Sequence, residues 1–265
     1  MTTVDSLSAR YSEVKQRIAA AARASGRIPA DVLLVAVSKY AGLDEVRELV
    51  ALGHTDFGES DALTLQQRVD MIAEWQQRRR GLPGAPIDSA PAAVPVRWHM
   101  IGHLQRAKVR KAIELARLIH SVDSLRVAED LQAAAMKLDR TADVLIQVNA
   151  SGEGSKFGVM LPAALHLAEQ MDSMVNLRLR GLMTLAPHGE QGEDARTTFA
   201  RTRELYEEMR RIGVVSPAFN ILSMGMSGDF EVAISEGANI VRLGSTIFGP
   251  REPEPEPDIA DDDGE

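Results

Sequence analysis

A lysine at the end of an apolar run is the first residue with evident chemical potential in this 265-residue sequence. Residues 33–38 are apolar or small, and Lys39 follows them directly. A charged side chain is costly on a buried strand, so we expect Lys39 at the strand's carboxyl end. A partly desolvated lysine there can condense with a carbonyl to form a Schiff base. An ordinary lysine whose ammonium reaches solvent is the alternative.

Two turns rich in small residues supply a second chemical signal. Residues 222–227 have the sequence Leu-Ser-Met-Gly-Met-Ser, and residues 241–246 have the sequence Val-Arg-Leu-Gly-Ser-Thr. Backbone N–H groups and hydroxyls in such turns can bind a phosphate. Either turn taken alone is typical of an ordinary structural turn, so the signal depends on where the fold places them.

Metal chemistry and nucleotide motifs are not supported. The chain has no cysteine, which excludes disulfides and thiolate metal sites. His99 and His103 are four residues apart, but residues 101–102 between them are typical of a strand end and not of a helix. Residues 152–156 resemble part of a P-loop but lack its first glycine at the required spacing. We therefore expect no metal site.

The net charge of −8 is concentrated at the carboxyl end. The chain has 38 acidic and 30 basic residues, of which residues 251–265 hold eight and one. Residues 1–250 therefore carry 30 acids and 29 bases, a net of −1. A near-neutral body argues against nucleic-acid binding. The Pro–Glu alternation and Asp run predict a disordered acidic tail over 251–265.

Short apolar runs alternate with longer amphipathic stretches after a first amphipathic helix within residues 1–27. This alternation is typical of βα units around a parallel sheet. Strands are predicted at 32–38, 54–58, 96–102, 118–122, 144–149, 177–185, 219–224 and 240–243. Helices are predicted at 43–52, 104–115, 124–138, 161–171, 195–212 and 229–235. Residues 81–96 contain four prolines and predict an exposed loop.

Eight strands in a body of residues 1–250 favour a (β/α)₈ barrel, the TIM-barrel fold, with an extra N-terminal helix. An open doubly wound sheet is the alternative if strands are miscounted. Barrel sites lie at the carboxyl ends of strands, and phosphate often binds in the loops after strands seven and eight. Lys39 would follow strand one, and the two small-residue turns would follow those last strands. Together they indicate pyridoxal 5'-phosphate (PLP), a phosphorylated aldehyde.

Several motifs, in order along the chain, also match a known family. They include residues 36–39, 56–59, 98–105, 121–124, 146–149, 181–184, 223–227 and 241–249. Together these motifs resemble the pyridoxal phosphate homeostasis proteins, which are single-domain relatives of the alanine racemase N-terminal barrel. The resemblance covers about residues 10–251 and leaves out the acidic tail.

The resemblance implies a role for each of five residues. Lys39 would form the Schiff base with PLP. Ser223, Gly244 and Ser245 would hold the phosphate, and Arg242 would face the pyridine nitrogen. No residue is implied as catalytic.

An arginine at the pyridine nitrogen limits what the cofactor can do. A guanidinium is not deprotonated in proteins, so Arg242 disfavours a protonated ring and makes PLP a weaker electron sink. This favours cofactor storage or racemase chemistry over transamination. The chain departs from the family pattern at Ser60, where asparagine is usual near the ring.

The leading expectation is a cytoplasmic, monomeric protein, not membrane-bound, that holds PLP and delivers it to PLP-dependent apo-enzymes for vitamin B6 homeostasis. Only about 15 residues follow the barrel, whereas the related racemases have a second domain there. The alternative is a PLP-dependent amino-acid racemase, with Lys39 as one base and Tyr40 as a candidate for the other. A barrel that has lost its ligand is the third hypothesis.

Overall fold

The computed structural model describes residues 6–80, 95–152, 157–187, 189 and 191–250. Most of the expected proline-rich loop at 81–96 and all of the expected acidic tail at 251–265 lie outside these residues. No helix within the described ranges is long and apolar enough to cross a membrane.

Eight parallel strands form the centre of the described structure. They are β1 (Leu33–Val37), β2 (Asp56–Glu59), β3 (Arg97–Met100), β4 (Leu118–Val122), β5 (Ala142–Asn149), β6 (Leu177–Met183), β7 (Ile221–Ser223) and β8 (Ile240–Leu243). Each strand pairs with the next along the chain. β1 also pairs with β8, from Leu33 opposite Ile240 to Ala36 opposite Leu243, so the sheet is closed. A two-residue strand, Val159–Met160, extends the sheet beside β5.

Helices surround the closed sheet in the described part of the chain. They are α1 (Leu7–Ala24), α2 (Leu43–Ala51), α3 (Ala62–Arg80), α4 (Val109–Leu115), α5 (Leu125–Lys137), α6 (Leu161–Asp172), α7 (Arg196–Ile212), α8 (Phe230–Ser235) and α9 (Ser245–Phe248). The architecture is a (β/α)₈ barrel with an extra N-terminal helix, so the predicted fold is confirmed.

Helices α4 and α3 differ from the sequence prediction, which also lacks the four-residue helix α9. The helix predicted at 104–115 begins only at Val109, because residues 106–108 form a 3₁₀ turn before it. No helix was predicted from the apolar pattern at the position of α3, Ala62–Arg80. Its buried side chains are few and include Leu65 and Ile72, while glutamine and arginine fill much of the rest. The apolar stripe is therefore too thin to define the helix.

An irregularity in β6 changes which of its side chains face inward. The register between β5 and β6 shifts by one residue between Val144 and Leu145. Arg180 is the extra residue of β6, and Gly181 follows it with a φ of +154°. A bulge of this kind inverts the alternation of side chains beyond it. Met183 can therefore pack in the same small apolar cluster as Leu145.

The barrel interior is only partly apolar. The small apolar cluster consists of Val35, Leu118, Leu145, Met183 and Ile240. Polar side chains on the strands are also almost completely buried, among them His99, His120, Ser223 and Arg242. A larger apolar core lies between the strands and the helices. The outer core therefore supplies most of the apolar burial, and the interior accommodates polar groups.

Helix α1 packs against the barrel and makes a buried polar contact between Tyr11 and His54. The hydroxyl of Tyr11 lies 3.2 Å from Nδ1 of His54, and Nε2 of His54 lies 2.7 Å from the backbone oxygen of Asp56. A carbonyl only accepts, so His54 carries its proton on Nε2 and accepts the Tyr11 hydroxyl at Nδ1. Burial lowers the pKa of His54 to about 4, which keeps the ring neutral.

We expect Gly181→Ala to disrupt the pairing of β6 with β7. A Cβ atom at this position would lie 1.8 Å from the backbone oxygen of Ile221. The substitution should lower the free energy of unfolding by about 3 kcal/mol or more. Gly213→Ala is the matched control, because Gly213 also has a positive φ, +76°, but open space around it. Its expected cost is about 1–2 kcal/mol. Equal losses in urea unfolding would contradict the close approach.

We expect His54 to make stability fall as the pH is lowered from 6.5 to 4. In this window the unfolded chain binds a proton at residue 54 and the folded chain does not. Unfolding is therefore favoured at the acid end, by up to about 1.4 kcal/mol per pH unit. Urea unfolding of His54→Gln at several pH values should show a shallower slope than the wild type. His166→Gln, at an exposed position of α6, should leave the slope unchanged.

Candidate functional site

The five residues predicted to bind a ligand lie at the carboxyl ends of three neighbouring strands. Ser223 is the last residue of β7, and Arg242 lies near the end of β8. Gly244 and Ser245 directly follow β8, and Lys39 lies two residues beyond β1. Strands β7, β8 and β1 are adjacent in the closed sheet. Barrel closure thus brings together residues that are up to 206 positions apart in sequence.

Lys39 is exposed at the barrel mouth. Its Nζ lies 4.4 Å from the centre of the Tyr40 ring, a distance typical of a cation–π contact. The neighbouring Ser38 is buried and donates its hydroxyl proton to Glu59 Oε1 at 2.6 Å. Burial raises the pKa of Glu59, whereas Ser38 and the positive charges of Arg68 and Lys39 act against that rise. An exposed amine therefore lies in the field of a buried acid.

Arg242 is a buried cation held by neutral acceptors. Its Nη1 donates to Ser223 Oγ at 2.7 Å, and its Nη2 donates to the backbone oxygen of Thr184 at 2.9 Å. No carboxylate of the described residues forms an ion pair with it. Burial lowers the pKa of Arg242 to about 10, with Asp229 acting in the opposite direction. Such a cation favours an anion or a nitrogen lone pair beside it.

The turns after β7 and β8 contact each other and contain backbone donors. Ser227 Oγ lies 3.3 Å from Thr246 Oγ1, which links the two turns. In the described part of the chain, the backbone N–H groups of Gly225, Gly244 and Ser245 have no hydrogen-bond acceptor. These donors lie near a buried guanidinium, as a phosphate-binding loop requires.

Gly225 and Gly244 lie so close to their neighbours that a side chain would have little or no room. A Cβ atom at Gly244 would lie 3.3 Å from the backbone oxygen of Val37, near the end of β1. At Gly225, where φ is +99°, it would lie 2.7 Å from the Cβ atom of Ala233. Both turns therefore depend on glycine for their close packing.

Sequence reasoning missed two residues that hold this arrangement together. His120 Nδ1 lies 2.9 Å from Ser223 Oγ, and the backbone oxygen of Thr184 accepts from Arg242. A signal for His120 was present, since it is the one ionisable residue in the strand Leu118–Val122. Thr184 acts through its backbone, which no residue type can reveal.

The two histidines considered as a metal pair lie apart. His99 is buried in β3, whereas His103 is partly exposed, with Nδ1 3.0 Å from Asp123 Oδ2 and its ring stacked on Phe157. Across the described ranges, no group of three or more His, Cys, Asp or Glu side chains could hold a metal ion. The P-loop-like stretch at 152–156 lies mostly outside the described residues.

Ser60, the departure from the family pattern, lies at the carboxyl end of β2. Its backbone oxygen is in very close contact with Gly102, because a Cβ atom there would lie 2.1 Å away. The backbone of residue 60 is therefore fixed by packing, whatever its side chain contacts.

The site thus combines an exposed amine, a buried cation and a set of free backbone donors. An amine can condense with an aldehyde, a buried guanidinium can donate to a ring nitrogen or an anion, and free N–H groups can hold a phosphate. These are the functional groups that a phosphorylated aromatic aldehyde requires.

Comparison with known proteins agrees with this chemistry. The family model for the alanine racemase N-terminal domain matches residues 10–252. The pyridoxal phosphate homeostasis protein of Pseudomonas aeruginosa is 38% identical over 252 residues, covering 94% of this chain and 97% of its own. The protein of that name from Aquifex aeolicus is 36% identical, covering 91% and 97%.

Solved structures show the same barrel. PipY of Synechococcus elongatus, solved with PLP bound, matches with a TM-score of 0.72 and 29% identity, over 89% of this chain and all of that one. The alanine racemase of Clostridium difficile shares the fold, with a TM-score of 0.65 and 15% identity, over 95% of this chain and 58% of that one.

The fold and the match over residues 10–252 define the class as the barrel of the alanine racemase N-terminal domain. Within that class, the chain belongs to the family of pyridoxal phosphate homeostasis proteins.

Proposed function

We propose that this protein holds PLP at the barrel mouth and releases it to apo-enzymes, as part of vitamin B6 homeostasis. The observation that carries the proposal is the meeting of Lys39, Arg242 and the free backbone donors at the ends of β7, β8 and β1. The bound cofactor supplies an electrophilic aldehyde. Names of the relatives support the same cofactor, since they are called pyridoxal phosphate homeostasis proteins.

Each group of the cofactor has a counterpart in the site. Lys39 is the amine that condenses with the aldehyde, and its exposure leaves it accessible to an incoming ligand. Gly244 and Ser245 offer backbone N–H groups to the phosphate, and Ser223 ends the neighbouring strand β7. Arg242 is the proposed partner of the ring nitrogen, and because a guanidinium has only donors it would keep that nitrogen unprotonated.

An exposed amine supports exchange of the cofactor over its permanent burial. Large apolar side chains also remain exposed after several strands, including Tyr40, Phe157, Leu185 and Met226. A mouth of this kind allows PLP to enter and leave, and a recipient enzyme to approach. We propose a monomer in the cytoplasm as the working form, without catalytic turnover.

Lys39→Ala should abolish covalent attachment of PLP and leave the fold intact. The purified protein is incubated with PLP, its visible absorption is recorded, and the complex is reduced with borohydride and mapped by mass spectrometry. The wild type should carry the modification on the peptide with residue 39. Lys15→Ala is the matched control, because Lys15 also lies against an aromatic ring, 5.3 Å from the Tyr11 centroid. Visible absorption retained by Lys39→Ala would refute the assignment.

A PLP-dependent amino-acid racemase is the second candidate function. It is favoured by the position of Tyr40, whose ring lies against Lys39 and could supply a second acid–base group. PLP-loaded protein is incubated with L-alanine and other amino acids, and the appearance of D-enantiomers is followed. A carrier should show none at ordinary enzyme rates, roughly 1–10³ per second. Turnover in that range, lost in Lys39→Ala, would establish the racemase instead.

A further inference from the structure

A continuous chain of hydrogen bonds crosses the barrel interior beneath the site. It starts at Asp56, the first residue of β2, and ends at Ser223, the last residue of β7. His99 Nε2 lies 3.2 Å from Asp56 Oδ1, and His99 Nδ1 lies 2.9 Å from His120 Nε2. His120 Nδ1 lies 2.9 Å from Ser223 Oγ. Asp56, His99 and His120 are buried and have no part in the function proposed above.

At its lower end the chain is anchored by a carboxylate that can only accept hydrogen bonds. Arg97 Nε donates to Asp56 Oδ1 at 2.9 Å, and Thr55 donates to Oδ2 at 2.7 Å. Burial alone would raise the pKa of Asp56, but hydrogen bonds from His99, Arg97 and Thr55 hold it well below its usual range. Asp56 is therefore ionised, and His99 must carry a proton on Nε2.

The direction of the remaining bonds follows from that anchor. In the uncharged form of His99, Nε2 donates to Asp56 and Nδ1 has only a lone pair, so Nδ1 accepts from His120 Nε2 in that form. His120 then accepts at Nδ1, and the hydroxyl of Ser223 is its donor. Burial, with the positive charge of Arg242, lowers the pKa of His120 well below its usual value, so His120 stays neutral. The Ser223 proton thus points into the barrel and away from the mouth.

At its upper end the chain meets the buried cation. Arg242 has no acceptor atom, so the Ser223 oxygen must accept from Nη1 at 2.7 Å. A hydroxyl that donates its own proton becomes a stronger acceptor, because hydrogen bonds in a chain polarise one another. The orientation of the Ser223 hydroxyl therefore affects how much of the Arg242 charge is compensated inside the barrel.

We propose that Asp56, His99 and His120 are positioning residues that hold the Ser223 hydroxyl proton toward the barrel interior and so moderate the positive charge that Arg242 presents at the mouth. The proposal deepens the proposed function and rests on it only for the identity of the ligand above Arg242. A moderated cation suits a protein that must release an anionic cofactor as well as bind it.

Asp56→Asn should reverse the donor and acceptor roles along the whole chain of hydrogen bonds. The amide oxygen keeps the Oδ2 position, which accepts from Arg97 Nη2 and the Thr55 hydroxyl, and the amide nitrogen takes the Oδ1 position facing His99. Arg97, whose side chain is partly exposed, turns its Nε away from that nitrogen. The amide then donates to His99 Nε2, His99 donates from Nδ1 to His120, and His120 donates from Nδ1 to Ser223. A comparable effect of a carboxylate-to-amide change on a histidine tautomer is known in serine proteases.

The first test measures the tautomers of both histidines in the cofactor-free protein by ¹⁵N NMR at pH 8. The wild type should carry protons on Nε2 of His99 and His120, and Asp56→Asn should carry them on Nδ1 of both. Asp143→Asn is the matched control. Asp143 also pairs with arginines at the amino end of a strand, with its Oδ2 atom 2.7 Å from Arg180 Nη1. It is not part of the chain of hydrogen bonds. A wild-type His120 protonated on Nδ1 would overturn the proposal without any variant.

The second test measures the dissociation constant of PLP. When the chain of hydrogen bonds is reversed, the Ser223 oxygen compensates less of the positive charge of Arg242. Asp56→Asn should therefore bind PLP about threefold to tenfold more tightly. Asp143→Asn should bind it like the wild type. The same Asp56 change in a Ser223→Ala background should have no effect, because no hydroxyl remains to turn. An equal effect in both backgrounds would assign it to the lost charge alone and overturn the proposal.

The two tests separate this inference from the function on which it rests. The expected tautomers in a protein that binds no PLP would overturn the proposed function and still support the hydroxyl orientation. PLP binding by the protein, together with unchanged histidine tautomers in Asp56→Asn, would support the proposed function. It would overturn the proposed orientation of the Ser223 hydroxyl by the chain of hydrogen bonds.

Discussion

The burial of one guanidinium constrains much of this molecule. A cation inside a barrel is costly unless its donors find acceptors, and Arg242 donates to one hydroxyl and one backbone oxygen. The hydroxyl belongs to Ser223, the last residue of β7, and the backbone oxygen belongs to Thr184, one residue beyond β6. Both positions depend on the register of β6, which the bulge at Arg180 sets. An extra residue in the middle of β6 thus helps determine whether the charge of Arg242 on β8 can be accommodated.

The sequence predicted the architecture because its signals are local. Apolar runs of strand length, alternating with amphipathic stretches, indicate βα units wherever they occur, and eight of them sufficed for the barrel. The residues at the ends of the first, seventh and eighth strands could then be placed without any contact information. α3 escaped definition because its stability comes from a thin apolar stripe packed on the barrel, which a largely polar sequence does not display.

The polar interior could not be predicted in the same way. His120 and Ser223 are 103 residues apart, and their contact depends on the strand order and register around the barrel. A pattern of residue types does not contain that information. The role of Ser223 shows the limit well. The family resemblance implies a phosphate ligand, which stays a prediction, whereas the structure adds two buried partners, His120 and Arg242, on the same oxygen.

The pairing of β1 with β8 joins the first strand of the barrel to the last. Lys39 extends from one of these strands, and Gly244 and Ser245 follow the other, so the candidate site lies across the line where the barrel closes. A ligand attached to both strands resists their separation, and its binding free energy adds to the stability of closure. A ribosome-bound chain still lacking residues 240–250 has no such site. Binding at the proposed site would therefore require that the last strand has been synthesised and that the barrel has closed.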